Sequence, residues 1–145
     1  MNERHRAREA LVQALYQWNY NPLDPRELEM EFLDAGYLEG TERGYFQHLL
    51  RKAVDRHEEI DGLIAPAIMP RRLSELTGVE QAILRAGVCE LLERDDVPYR
   101  VVINEAVELA KSFGTDQGYR FVNAVLDRIA RERRAAEDES PTHDG

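Results

Sequence analysis

Cysteine is almost missing from this chain: Cys89 is the only one, so no intramolecular disulfide can form. No stretch approaches the roughly 20 apolar residues that a membrane helix requires, which excludes a helical membrane span. The N-terminus is charged and lacks the apolar run of a signal peptide, so a cytoplasmic protein is expected. There is no glycine-rich phosphate loop, no nucleophile elbow and no zinc-protease motif, and enzyme chemistry therefore has no visible carrier. Alternating polarity never runs long enough for a strand. Positive charge is in deficit as well. With 19 Lys and Arg against 28 Asp and Glu, the formal net charge is −9, which argues against broad electrostatic binding to nucleic acid or anionic membranes.

What remains is helical. The 145 residues, 43% of them hydrophobic, suit one domain with a genuine core. Ala7, Ala10, Leu11, Ala14, Leu15 and Trp18 form an apolar stripe on a first helix over Glu3–Asn19, stopped by Asn21-Pro22-Leu23-Asp24-Pro25. A short acidic helix is expected over Arg26–Asp34. A long one follows from Thr41 through Ile64, ended or kinked by Pro66, with a helical turn over Arg71–Leu76. The segment Gly78–Glu93 is apolar nearly all round, the mark of a central helix; Arg85 and Glu90 would then lie near the core and require partners. Further helices are expected over Val101–Phe113 and Gly118–Arg134. The fold class is all-α, a compact bundle of six or seven helices. Residues 1–136 form the domain, and 137–145 an acidic tail expected to be disordered.

Against this acidic background Arg4, His5, Arg6 and Arg8 fall within five residues. At 100° per residue, His5, Arg8, Val12, Tyr16 and Asn19 share a ridge away from the apolar stripe. Guanidinium groups beside an exposed tyrosine suit single-stranded RNA, the cations taking phosphate and the ring stacking on a base. A solvated helix face with Arg8 paired to carboxylates fits the same pattern. A second candidate is the start of the last helix, where free amides and the helix dipole favour phosphate beside Arg120. Phe121 there can stack on a base or belong to the core. His57 and Asp61 stand at i, i+4, a spacing that metal ligands share with any amphipathic helix, and no metal site or cofactor is expected. Cys89 reads as an inert core residue rather than a nucleophile.

Several segments together resemble the NusB transcription antitermination factors. They are Arg4-His5-Arg6-Ala7-Arg8-Glu9 with Val12-Gln13-Ala14-Leu15-Tyr16, Val79-Glu80-Gln81-Ala82-Ile83-Leu84-Arg85, Asp96-Val97-Pro98-Tyr99, Ile103 through Gly114, and Phe121-Val122-Asn123-Ala124-Val125-Leu126-Asp127. The resemblance spans Arg4 to Ile129 in order and spacing. It implies an all-helical, non-enzymatic protein that binds single-stranded boxA RNA of ribosomal RNA leaders together with NusE, a small-subunit ribosomal protein. The pair joins a complex that carries RNA polymerase through terminators. By position, RNA contacts would fall on Arg4, His5, Arg6, Arg8 and Tyr16, with Gln117, Arg120 and Phe121 near the last helix. The NusE face would hold Glu80 and the turn Val97-Pro98-Tyr99-Arg100-Val101. His5 stands where many relatives carry arginine, and Ala124 where glycine is common. Two other readings stay open: a helical RNA-recruiting module like those fused to rRNA methyltransferases, for which no cofactor domain is visible here, and a purely protein-binding adaptor.

Overall fold

The computed structural model describes residues 2–114 and 118–138, with side chains as far as Arg133. Among them are seven α-helices and no strand: α1 Glu3–Tyr20, α2 Pro25–Asp34, α3 Arg43–Asp55, α4 His57–Ile68, α5 Gly78–Glu93, α6 Tyr99–Ser112 and α7 Gly118–Asp138. A single 3-10 turn, Leu73–Glu75, leads into α5. No helix among the described residues is long and apolar enough to cross a membrane.

Local chemistry accounts for most helix starts. Asn2 caps α1 by accepting from the His5 amide at 2.9 Å, and Asp24 caps α2 through the Arg26 amide at 2.8 Å, with Pro25 in the first turn. Thr77 and Glu80 form a reciprocal capping box at the head of α5, each side chain 3.1 Å from the other's amide. The expected central position of α5 holds: it packs against α1, α3, α4, α6 and α7. Around it Leu11, Leu15, Phe46, Leu49, Leu50, Ile83, Leu84 and Leu126 are fully buried.

Three expectations along the chain need correction. The long helix from Thr41 is two helices, broken at Arg56, whose backbone leaves the helical region at φ −105 and ψ 20. The break is held by side chains: His57 Nδ1 lies 2.8 Å from the Val54 carbonyl, and Arg56 reaches both Glu59 and Glu93. Pro66, in turn, does not end its helix, because α4 runs on to Ile68. Ile60, Ile64 and Ile68 are buried at i, i+4 spacing. Together the three buried isoleucines are worth about 4.5–9 kcal/mol, more than the roughly 3 kcal/mol that a proline costs inside a helix. At the other end, α7 reaches Asp138, past the expected end at Arg134. The pairs Arg128–Glu132 at 2.9 Å and Asp127–Arg131 at 2.8 Å support it at i, i+4. Of the expected tail, 139–145 lie outside the described residues.

Candidate nucleic-acid interface

Helix α1 runs along α5, and the alignment decides which of its cations face water. Arg8 does not. It is 6% exposed, with Nε 2.9 and 3.0 Å from the two Glu90 oxygens, Nη2 2.6 Å from Glu90 Oε2, and Nη1 2.9 Å from Glu105 Oε1. Val12, on the same ridge, is buried too. The ridge expected to carry Arg8 to RNA is therefore corrected: Arg8 is an internal strut, paired to carboxylates as the alternative had it but buried rather than on a solvated face. Glu90, expected near the core, is 3% exposed, and Arg8 is its partner along with the Tyr45 hydroxyl, which donates to Glu90 Oε2. Burial works to lower the Arg8 pKa, but the hydrogen bond and charge of Glu90 outweigh it and lift it above the ordinary arginine value. Burial, and then Glu90, push the Tyr45 hydroxyl up.

The other cations surround the same tyrosine. The Arg4 and Arg94 guanidinium carbons lie 4.2 and 4.6 Å from the Tyr45 ring centre, and that of Arg8 5.6 Å. Arg4 donates to Glu42 at 3.0 and 3.3 Å and Arg94 to Asp96 at 2.9 and 3.0 Å. Those hydrogen bonds hold both arginines above their ordinary pKa. His5 Nδ1 lies 3.0 Å from Glu105 Oε1. Arg6 is exposed. The outward face of α1 thus carries His5, Arg6, Glu9, Gln13, Tyr16 and Tyr20, a stripe turned by one position from the expected ridge.

Tyr16 is 43% exposed and meets Tyr20 edge-on, ring centres 5.1 Å apart. The pair lies over Gly78 at the head of α5, where a Cβ would collide with the Tyr20 hydroxyl and come within 2.9 Å of Tyr16 Cε1. Tyr16 therefore stands about 18 Å along α1 from Arg4, at the helical rise of 1.5 Å per residue. Glu80 belongs to this same end. It is 9% exposed and committed to the Thr77 capping box. The turn from Val97 to Val101 follows the far end of α5, about 20 Å away. There Pro98, Arg100 and Val101 are exposed while Val97 and Tyr99 are half-buried.

At the last helix Arg120 is exposed, its Nε donating to the Tyr119 hydroxyl at 3.2 Å. Phe121 is half-buried with the Arg71 guanidinium 5.0 Å above its ring, so its ring is occupied by a cation rather than open to a base. Gln117 lies outside the described residues. The remaining sequence candidates are occupied elsewhere. Asp61 accepts from Arg85 at 2.9 and 3.1 Å, which also supplies the partner expected for Arg85. His57 is held by Val54. The buried Cys89 thiol, raised mainly by burial, lies 3.4 Å from the Leu49 carbonyl.

Sequence reasoning missed Tyr45, Arg94, Gln13 and Tyr20. A signal for the last two was present, since a helical wheel centred on the buried stripe, with Val12 counted in it, places Gln13 and Tyr20 opposite.

The NusB family pattern matches residues 5–131. Transcription antitermination protein NusB of Nitrosococcus oceani is 45% identical over 136 residues, 94% of this chain and 90% of that protein. The corresponding protein of Edwardsiella ictaluri is 46% identical over 131 residues, 90% and 94% of the two chains. Among solved structures, T. maritima NusB superposes with a TM-score of 0.77 at 34% identity, covering 91% of this chain and 94% of its own. A crystal structure of antitermination factors NusB and NusE in complex with dsRNA superposes with a TM-score of 0.79 at 29% identity, covering 88% and 96%.

Proposed function

The chain belongs to the NusB family, and on that premise we propose that the outward face of α1 is where it binds boxA RNA jointly with NusE. It is a transcription antitermination factor and not an enzyme. Its work is to help RNA polymerase elongate through terminators, in the cytoplasm where bacterial transcription takes place. The observation that carries the RNA reading is the uncommitted Arg6 on the same exposed face as His5 and Tyr16. Arg4 supports it from the rim, its guanidinium held over Tyr45. Arg120 offers a second cation at the opposite end of the bundle. The Val97–Val101 turn is the better candidate for NusE, because Pro98, Arg100 and Val101 are exposed there while Glu80 is nearly buried and caps α5. Arg8 and Phe121 support these surfaces from beneath.

Binding of a labelled boxA RNA, with and without NusE, tests this reading. The expected result is weak binding alone, tighter binding with NusE, and several-fold losses for Arg6→Ala and Tyr16→Ala. A scrambled RNA bound equally well would overturn it. A boxA duplex belongs in the same titration, since the related solved complex contains dsRNA.

A further inference from the structure

Between α1 and the loop joining α2 to α3 lies an open groove of about 440 Å³, within the roughly 300–1,000 Å³ of small-ligand sites. Its lining includes Arg6, Glu9, Gln13, Tyr37 and Glu39. Tyr37 is 61% exposed, yet its ring is anchored edge-on against the buried Phe32 at 5.4 Å. It is thus an aromatic surface open to solvent and held along one edge. Gly40 sets the loop against Arg6: its φ is +72, in the left-handed region, and a Cβ there would stand 2.9 Å from Arg6 Nη1.

The polar groups of this groove are unspent. Among the described residues, Arg6, Glu9, Gln13 and Glu39 make no side-chain hydrogen bond or ion pair, whereas Arg4, Arg8, Arg51, Arg56, Arg85 and Arg94 each hold a carboxylate. Arg6 and Glu9 stand at i, i+3, where opposite charges commonly pair, and Gln13 follows Glu9 at i+4. Two carboxylates repel phosphate from the floor, so the floor suits a base and the rim beside His5 suits the backbone.

Resting on the RNA-binding reading above, we infer that this groove receives one unpaired guanine of the bound RNA. Guanine alone among the bases sets two acceptors, O6 and N7, beside adjacent N1 and N2 donors. The acceptors match the Arg6 fork, the donors match the Glu9 carboxylate, and Tyr37 gives the ring a stacking face. Gln13, carrying both donor and acceptor, completes the edge.

The test uses the full chain with NusE and a boxA RNA in which each guanosine is replaced in turn by inosine, which lacks the 2-amino group. At one position inosine should weaken binding about 5- to 100-fold, and that penalty should vanish in Glu9→Ala. Tyr37→Ala should lose a similar factor and Tyr37→Phe should retain affinity; both are surface changes that leave the circular dichroism spectrum intact. If the wild type prefers boxA over scrambled RNA but Tyr37→Ala and Glu9→Ala bind as the wild type does, the groove inference falls and the antitermination reading stands. If the wild type shows no preference, both fall.

Discussion

Arg6 and Arg8 are separated by one residue and do opposite work. Arg8 is buried in a cluster in which Glu90 accepts from both Arg8 and Tyr45. Removing the cation leaves Glu90 charged and unpaired in the interior, at a cost of about 3–5 kcal/mol. Arg8→Met should lower the urea midpoint accordingly, while Arg8→Met with Glu90→Leu recovers most of the loss. Arg6→Ala should leave the midpoint within about 0.5 kcal/mol of wild type, as exposed substitutions do. Tyr45 adds an alkaline limb. Its folded pKa lies above the unfolded value of about 10. Its contribution is therefore complete below pH 10 and is lost as pH rises toward the folded pKa. Urea midpoints measured across that window should fall less steeply for Tyr45→Phe than for wild type. The sequence held half of this cluster. Glu90 is legible as a core carboxylate in want of a partner, whereas arginine as a residue type points Arg8 to the surface. Its neighbour one turn on, Val12, was the clue that this flank of α1 faces inward.

Helix boundaries were legible where a cap or proline writes them locally, as at Asp24-Pro25 and across Gly78–Glu93. They were not legible where tertiary contacts decide. The break at Arg56 depends on Glu93, 37 residues away, and the continuation past Pro66 depends on what Ile68 packs against. The same dependence governs how closely α5 and α7 approach. A Cβ on Gly87 would stand 2.8 Å from Cδ1 of the fully buried Leu126. Overpacking of this kind costs about 1–3 kcal/mol, against a helix-propensity gain of about 1 kcal/mol for alanine over glycine. Gly87→Ala should therefore be net destabilising in urea unfolding. Combined with Leu126→Ala, it should cost less than the sum of the two single changes, because the added methyl fills part of the space that leucine vacates. Strict additivity would mean that the two helices do not meet as described.

Charge over the whole molecule makes a demand that neither residue nor helix shows. A chain of net charge −9 repels RNA at long range, so binding depends on a few placed cations. Most of its arginines are already neutralised in place by carboxylates, such as Arg51 by Glu29 and Arg56 by Glu59 and Glu93. Arg6 and Arg120 stand exposed without a carboxylate partner among the described residues, and Arg4 is half-committed to Glu42. Counterion release from single strands gives a slope of log affinity against log salt of roughly −0.7 per phosphate neutralised. With two or three such contacts the chain without NusE should show a slope of about −1.4 to −2.1. Arg120→Ala should make it shallower by about 0.7, whereas Arg6→Ala should change it less, because Arg6 meets a base edge and not a phosphate. The paired change Arg8→Met with Glu90→Leu should leave it unaltered, because Arg8 neutralises Glu90 and not RNA. A slope several times steeper would mean that the internal ion pairs open on binding and lend their arginines to the nucleic acid. A slope near zero would mean that the base contacts of α1, and not its cations, hold the RNA.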